Sequence, residues 1–341
     1  MTTNSAIFAL FPGQGAQHIG MGKDLFQQFN TARAVFEEAS DAIGLDLKHL
    51  CFDGFESDLA LTENTQPALL TTSVAAFRVA QKELGFAPIA VAGHSLGEYS
   101  ALVAAGSLSL ASAVRWVRAR GTAMQQAVPA GEGSMAAVLN GDEWIALLCE
   151  KATAAAKTKR ARGESEKTSI EAVVEPANFN APGQIVIAGS SDAVQEAIAL
   201  IKSDPDFSGG KAIPLKVSAP FHCKLMAPAR DHMARLFSEA ASAEKAKLMA
   251  CPYIPNRTAR LTQEPGVVFE LLVEQVDHPV LWKQSMATMM DSGWTTGIEF
   301  GPGKVLQGLA KRISQAAGKT LAIQSLGDAA GVQAAEGLFK K

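Results

Sequence analysis

The sequence predicts an α/β protein with a mostly parallel sheet at its core and a small α+β subdomain inserted into the chain. Apolar, strand-sized segments alternate with helical segments in the first part of the chain, and the alternation resumes near its end. Such alternation is typical of a parallel sheet covered by helices. Between these parts lies a segment with the pattern strand, helix, strand, helix, strand. This middle segment indicates a subdomain that separates two halves of a larger domain.

The amino-terminal half of the larger domain begins with an apolar segment, Ser5–Phe11, which predicts a buried strand followed by the tight loop Pro12–Gly15. Helical segments follow through about residue 84, and the apolar stretch Ala87–Gly93 predicts a second buried strand. A long helix is predicted from about Ser109 to Val128. Pro129 and Gly131 should end this helix.

The inserted subdomain is predicted at residues 132–217, and the larger domain therefore comprises residues 1–131 and 218–341. After the subdomain the chain returns to helices, and it closes with a strand at Thr296–Phe300 and a helix through about Ala317. The charged segment Lys157–Thr168 is expected to be an exposed loop. The strands and helices expected within the subdomain are Ser134–Leu139, Glu143–Lys157, Gln184–Ala188, Asp192–Ile201 and Lys211–Val217.

The composition excludes several classes of protein. With 341 residues, 48% hydrophobic and 19% charged, the chain has the composition of a globular protein with a large core. No apolar run reaches membrane-spanning length, and the first residues lack the features of an export signal. The net charge of −3 gives no basic surface for nucleic acid, and the 4 cysteines lack metal-site spacing. We therefore expect a cytoplasmic protein with no metal and no nucleic-acid or membrane partner.

The segment Gly93–Gly97 reads Gly-His-Ser-Leu-Gly and lies between a predicted strand and a segment of helix-forming composition, Glu98–Ala105. A serine on such a sharp turn is a nucleophile elbow, in which the hydroxyl is exposed at the edge of a sheet. The flanking glycines allow the tight backbone path. The first N–H groups of the helix then point toward negative charge that develops beside the serine. Ser95 is therefore the predicted nucleophile.

A serine nucleophile needs a base, and the chain has 6 histidines. His222 is the best placed, because it lies in a loop after a predicted strand and could reach the sheet edge. His278, which precedes a proline, is a reserve candidate, whereas His94 is expected to point away from the Ser95 hydroxyl. A hydrogen-bonded loop histidine is the alternative interpretation of His222. The remaining histidines are His18, His49 and His232.

Arg120 lies at the border of the apolar stripe of the helix that begins near Ser109. A guanidinium near an apolar face is costly unless it is paired. Two interpretations remain open: a structural carboxylate partner, or a substrate carboxylate that the arginine binds through two parallel hydrogen bonds.

Several motifs resemble the malonyl-CoA:acyl carrier protein transacylases of bacterial fatty acid synthesis, and the resemblance covers roughly residues 6–315. The motifs occur in the order found in that family: FPGQGAQHIGMG from Phe11, TQPALL from Thr65, GHSLGEYSALVAAG from Gly93, ARG from Ala119, NFNAPGQIVIAG from Asn178, APFHCKLM from Ala219, HPVLW from His278 and EFGPGKVL from Glu299. The resemblance implies an α/β-hydrolase-like parallel-sheet core with an inserted ferredoxin-like subdomain. It also implies malonyl-CoA and a phosphopantetheinyl acyl carrier protein as substrates, no bound cofactor, and a monomer.

The resemblance assigns roles to individual residues. It implies that Ser95 is the nucleophile, His222 its base, Arg120 the clamp for the malonyl carboxylate and Gln275 the residue that orients the histidine. The oxyanion hole would consist of the backbone N–H groups of Gln14 and Leu96. Gln14, Asn178 and Phe221 complete the expected substrate-binding set.

Phe221 departs from the pattern of bacterial relatives, which often carry a small polar residue before the histidine. Polyketide acyltransferases that select malonyl also carry phenylalanine there, so a polyketide-pathway malonyltransferase remains an alternative. Two further alternatives are a serine hydrolase that acts on acyl carrier proteins and a non-enzymatic module that binds them. Carrier proteins are acidic, and the candidate basic residues for docking are Lys224, Arg230, Arg257, Arg260, Lys304 and Arg312.

Overall fold

The structure, a computed structural model, describes residues 6–165, 168–240 and 244–339. The strands of these residues are β1 (Ile7–Phe11), β2 (Val91–Gly93), β3 (Gly133–Leu139), β4 (Val174–Ala181), β5 (Gln184–Ser190), β6 (Lys211–Pro214), β7 (Tyr253–Ile254), β8 (Thr296–Phe300) and β9 (Ala322–Leu326). The α-helices of the same residues are α1 (Lys23–Gln28), α2 (Asn30–Ile43), α3 (Leu47–Phe52), α4 (Glu56–Ala60), α5 (Thr62–Leu84), α6 (Gly97–Ala104), α7 (Leu110–Gln126), α8 (Ile145–Ala161), α9 (Ser191–Ser203), α10 (Ala227–Ala240), α11 (Val268–Glu274), α12 (Trp282–Asp291), α13 (Val305–Ala316) and α14 (Ala329–Phe339).

Five of the strands form a parallel sheet in the order β7-β2-β1-β8-β9. The central strand β1 is fully buried, and Phe11 packs against Phe77 of α5 and Phe300 of β8. In the register of the sheet, Phe11 lies beside Gly93, the last residue of β2. Because parallel strands end at the same edge, the loop after β1 and the turn after β2 lie side by side there. The predicted parallel-sheet core is thus confirmed.

The other four strands form an antiparallel sheet in the order β4-β5-β3-β6. Together with α8 and α9 they follow the chain order β-α-β-β-α-β, which is that of a ferredoxin-like unit. The two helices and this sheet share one apolar core. It contains Leu148 of α8, Val194 of α9 and Ile187 of β5. All four strands lie within residues 132–217, where the sequence places the inserted subdomain.

The chain divides into two compact units. Among the described residues, the first unit comprises those up to Thr122, those of Ser238–Phe269 and those from Ser285 onward. The second comprises Ala123–Phe237 and Glu270–Gln284. It extends beyond residues 132–217 because Val280 pairs with β4, with hydrogen bonds of 2.9 Å to the backbone on either side of Asn178. The predicted domain boundaries, 1–131 with 218–341 and 132–217, stay a prediction.

The charged segment Lys157–Thr168 is not a loop throughout, since α8 continues to Ala161. Two of its cations pair with carboxylates of α9: Arg160 donates two hydrogen bonds to the carboxylate of Asp192, and Lys159 pairs with Glu196 at 2.5 Å. Helical periodicity therefore persists where charge density alone indicates a loop. Residues 166–167 of this segment, and Ser5 of the first predicted strand, lie outside the described residues.

Several elements differ from the sequence prediction. Strand β4 is absent from it, because the polar residues of Val174–Ala181 obscure any apolar alternation. The short edge strand β7 and the last elements, β9 and α14, are also absent from the prediction. Strand β6 ends at Pro214 and not at Val217, since its pairing with β3 ends there.

Candidate active site

The predicted elbow is present in the first unit: β2 ends at Gly93, α6 begins at Gly97, and Ser95 lies in the turn between them. Ser95 has a φ of 50°, in the left-handed region that non-glycine residues seldom adopt. The turn is so tight that a Cβ on Gly93 would lie 1.9 Å from the carbonyl of Gly97. Only glycine fits at position 93. This strained strand-to-helix turn is the geometry expected for an exposed serine nucleophile.

Arg120 lies on α7 and is only 1% exposed. Its guanidinium donates a hydrogen bond of 3.2 Å to Ser95 Oγ and another of 2.9 Å to the side-chain oxygen of Gln66. Burial lowers the pKa of Arg120, and the nearby Tyr99 and Glu98 oppose this shift. A buried guanidinium at the serine hydroxyl can bind a carboxylate on an acyl group that the serine carries. Gln66 lies within the TQPALL motif, but sequence reasoning gave it no role.

The loop after β1 brings Gln14 to the same sheet edge as Ser95. Gly13 allows this approach, since a Cβ there would lie 2.5 Å from the carbonyl oxygen of His94. Among the described residues, the backbone N–H groups of Gln14 and Leu96 have no protein acceptor. The side chain of Gln14 donates to Thr62 Oγ1 at 3.5 Å. Two N–H groups without acceptors suit the expected oxyanion hole.

Asn256, which sequence reasoning missed, also contacts the elbow. It follows the edge strand β7, is fully buried, and accepts a hydrogen bond of 2.6 Å from the backbone N–H of Ser95. The N–H of Ser95 is therefore engaged, unlike that of Leu96. No motif marks this asparagine, and only the pairing of β7 with β2 brings it to the elbow.

His222 lies in the second unit, where it is 3% exposed and has a φ of 61°. Its Nδ1 lies 2.8 Å from the backbone carbonyl oxygen of Gln275. A carbonyl only accepts, so Nδ1 carries the proton and Nε2 is left as the basic nitrogen. The group that orients the ring is thus a main-chain atom of Gln275. The family resemblance points to Gln275, but not to which of its atoms contacts the ring.

The other predicted substrate-binding residues of the second unit are also buried. Asn178 is 7% exposed and lies on β4, where it bridges to Val280. Phe221 is 8% exposed and immediately precedes His222. The reserve candidate His278 contacts Asp277 Oδ1 at 2.8 Å and the carbonyl of Glu274 at 2.9 Å through the same nitrogen.

The basic residues considered for docking differ in their local pairing. Lys224 pairs with Glu171 at 3.0 Å, and Arg230 pairs with Asp231 and Asp277. Arg260 and Lys304 have no carboxylate within ion-pair distance among the described residues. Arg257 and Arg312 complete the set.

The 4 cysteines are all free and buried. Burial raises the pKa of Cys223, the neighbour of His222, to about 12, so this thiol stays protonated near neutral pH. Within residues 6–165, 168–240 and 244–339, no cluster of side chains suits a metal ion. In the same part of the chain, no helix is both long and apolar enough to cross a bilayer.

Residues 8–327 match the acyl transferase domain family. The chain belongs to this family. It is 44% identical over 320 residues to the malonyl CoA-acyl carrier protein transacylase of Bacillus subtilis (strain 168), covering 94% of this chain and 93% of the relative. The corresponding protein of Escherichia coli (strain K12) is 44% identical over 310 residues, covering 89% of this chain and 91% of the relative.

Solved structures give the same result. An acyl carrier protein S-malonyltransferase from Vibrio cholerae superposes with a TM-score of 0.85 at 41% identity, covering 97% of this chain and 99% of that one. A malonyl-transacylase solved in complex with a type II polyketide synthase acyl carrier protein has a TM-score of 0.86 at 38% identity, covering 98% and 99%. The family and fold predicted from the sequence are confirmed.

Proposed function

We propose that this protein transfers a malonyl group from malonyl-CoA to the phosphopantetheine thiol of an acyl carrier protein, through a malonyl ester on Ser95, and thereby supplies malonyl groups for fatty acid elongation. The observation that carries the proposal is the buried guanidinium of Arg120, 3.2 Å from Ser95 Oγ. An enzyme for simple acyl chains has no need of a buried cation at its nucleophile, whereas a malonyl ester carries a carboxylate that neutralises it.

In the first half-reaction, Ser95 Oγ attacks the thioester carbonyl of malonyl-CoA, while Nε2 of His222 takes the hydroxyl proton. The N–H groups of Gln14 and Leu96 stabilise the tetrahedral oxyanion, each contributing about 3 kcal/mol in comparable sites. The C–S bond then breaks, and CoA leaves with the proton from His222. In the second half-reaction, the carrier thiol attacks the ester and Ser95 recovers its proton.

The remaining site residues act on binding and orientation. Arg120 binds the malonyl carboxylate, and an acetyl group would leave this buried cation without its counter-charge, so selectivity follows. The carbonyl of Gln275 holds the tautomer of His222, although it stabilises the imidazolium less than a carboxylate would. Asn178 and Phe221 are assigned to binding of the malonyl group. Docking of the acidic carrier protein is assigned to the candidate basic residues, foremost to Arg260 and Lys304.

The acceptor is a carrier protein of fatty acid synthesis, and a polyketide carrier is a second candidate because one solved relative was captured with such a partner. We further propose that the enzyme works as a monomer, since one chain supplies every residue that the mechanism requires. A cytoplasmic location is consistent with buried, free cysteines and with thiol substrates.

The proposal is tested by intact-protein mass spectrometry after brief incubation with malonyl-CoA or acetyl-CoA. We expect a malonyl adduct on the wild type and on Ser100→Ala, a control at a buried serine of α6, and none on Ser95→Ala. The adduct should be discharged by the holo carrier protein and not by its apo form. His222→Ala should slow acylation by about 10,000-fold.

Three outcomes would contradict the proposal. Release of free CoA without any adduct would indicate a hydrolase. Equal acylation by acetyl-CoA would refute the role of Arg120. Carrier binding with no acylation of Ser95 would indicate a non-enzymatic module.

A further inference from the structure

Asn256 forms a bridge across the nucleophile turn. Its side-chain oxygen accepts from the backbone N–H of Ser95 at 2.6 Å, and its Nδ2 donates to the carbonyl oxygen of Gly93 at 2.6 Å. The two faces of one amide thus satisfy a donor and an acceptor on opposite sides of the turn. An ionised carboxylate could only accept, and a hydroxyl carries its donor and its acceptor on one atom, so neither replaces the amide across this span.

The bridge is itself held in place. The backbone N–H of Asn256 donates to Glu98 Oε2 at 2.9 Å, and Glu98 is fully buried in the first turn of α6. On the other side, Tyr253 and Ile254 of β7 pair with β2. The asparagine is therefore fixed both by the strand that enters the elbow and by the helix that leaves it.

We propose that Asn256 is a positioning residue for the nucleophile. The left-handed conformation of Ser95 is strained, and it persists only where neighbouring groups impose it. The amide of Asn256 imposes this conformation by joining the carbonyl oxygen of Gly93, two residues before the serine, to the N–H of Ser95. It also occupies the N–H of Ser95, so that the developing oxyanion meets the N–H of Leu96 and not a competing donor.

This inference rests on the proposed function for its substrate, but not for its chemistry. An elbow serine that is well positioned reacts with any acylating or phosphonylating agent of suitable size. A fluorophosphonate probe therefore reports on the position of Ser95 without malonyl-CoA. Arg120 lies on α7 and donates to Ser95 Oγ and to the side-chain oxygen of Gln66, so the binding of a malonyl carboxylate should be little affected by changes at position 256.

The test compares wild type with Asn256→Ala, Asn256→Asp and the control Thr288→Val. The control removes a hydrogen bond of 2.7 Å from Thr288 of α12 to the carbonyl of Ala259. Ala259 lies in the same loop as Asn256 but does not contact the elbow through this bond. Single-turnover acylation by malonyl-CoA gives a maximal rate and a half-saturation concentration for each protein, and fluorophosphonate labelling gives a second rate. Thermal unfolding midpoints measure the structural cost of each variant.

We expect Asn256→Ala to lower both the maximal acylation rate and the labelling rate by about 100-fold, with the half-saturation concentration for malonyl-CoA changed less than about threefold. Thr288→Val should leave both rates within about twofold at a comparable loss of thermal stability. The rate of Asn256→Asp relative to wild type should increase as the pH falls from about 8 to about 6, because a carboxyl buried beside Glu98 then regains the proton needed to donate to Gly93.

Acylation and labelling rates of Asn256→Ala within about threefold of wild type would overturn the inference. So would rate losses in Asn256→Ala and Thr288→Val that are in the same proportion to the fall in each variant's unfolding midpoint. If the wild type is labelled by the fluorophosphonate in a manner that depends on Asn256, but is not acylated by malonyl-CoA, the positioning role stands and the proposed function fails.

Discussion

The two units hold Ser95 and His222, the proposed nucleophile and base, by different means. Ser95 in the first unit and His222 in the second both have left-handed backbone conformations, with φ of 50° and 61°. The first unit fixes Ser95 with buried side chains, among them Asn256 and Arg120. The second unit orients His222 with a backbone carbonyl, that of Gln275. A residue held by side chains is sensitive to single substitutions, whereas one held by the main chain depends on the path of the backbone.

The units also differ in where they place charge. The first unit buries Glu98, Arg120 and Glu299, each no more than 1% exposed. In the second unit, the pair of Arg160 with Asp192 is partly exposed, and the buried carboxylate of Asp277 pairs with the partly exposed Arg230. Exposed pairs contribute little to stability, whereas a buried charge responds strongly to loss of its partner or to pH. The pH dependence of stability should therefore be most sensitive to changes in the first unit.

Among the substitutions that separate the two units, Arg120→Ala is expected to have the largest effect. The variant removes the cation that the malonyl carboxylate would neutralise, so kcat/KM for malonyl-CoA should fall by about 1,000-fold while that for acetyl-CoA falls much less. Steady-state transfer to the carrier protein from each thioester measures this. Arg118→Ala is the matched control, because Arg118 lies on the same helix but is partly exposed and donates to the carbonyl of Glu63. Unchanged selectivity in Arg120→Ala, or an equal loss in Arg118→Ala, would remove the distinction between the two arginines.

A smaller effect is expected from Glu299→Gln. Glu299 is fully buried at the end of β8 and accepts from the backbone N–H groups of Leu306 and Gln307. Burial raises the pKa of its carboxyl from the usual 4.5 to about 7. The folded state therefore binds the proton more tightly than the unfolded state does. The associated stability is fully present below about pH 4.5 and is lost as the pH rises to about 7, by up to about 3 kcal/mol.

Since glutamine does not titrate, the stability of Glu299→Gln relative to wild type should increase between pH 5 and pH 7.5, measured as unfolding midpoints across that range. A constant difference between wild type and Glu299→Gln would mean that this carboxyl titrates normally.

The smallest effect is expected from Gln275→Ala. The carbonyl that accepts from His222 remains in the variant, so kcat should fall by no more than about threefold, even though loss of a buried side chain lowers the unfolding midpoint. The measurement is the steady-state kcat beside that of His222→Ala. A loss of about 100-fold would show that the Gln275 side chain itself orients the ring, and the contrast between the units would then disappear.

The sequence predicted what local patterns encode. The strand β1, the turn around Ser95 and the helix that carries Arg120 all have contiguous signatures, namely apolar runs, paired glycines and helical periodicity. The family resemblance then singled out His222 among the histidines. These predictions needed no knowledge of which segments meet in space.

The contacts of these residues could not be predicted in the same way. Asn256 reaches Ser95 across 161 positions of the chain, and nothing in its neighbourhood marks it as different from any other asparagine after a strand. Gln66 lies in the TQPALL motif, yet its hydrogen-bond partner Arg120 is 54 positions away along the chain. Strand β4 lacked clear alternation because Glu175, Asn178 and Asn180 interrupt its apolar residues. Long-range pairing, which is set by packing, supplied what the local pattern lacked.

The carbonyl of Gln275 has a consequence for how the second unit can evolve. Every residue type supplies a main-chain carbonyl oxygen, so a substitution at position 275 cannot delete the acceptor. Its location is fixed by the number of residues between the end of α11 and the pairing of Val280 with β4. Drift by point mutation is therefore tolerated there, whereas a single insertion or deletion between Glu274 and Val280 would withdraw the oxygen from His222.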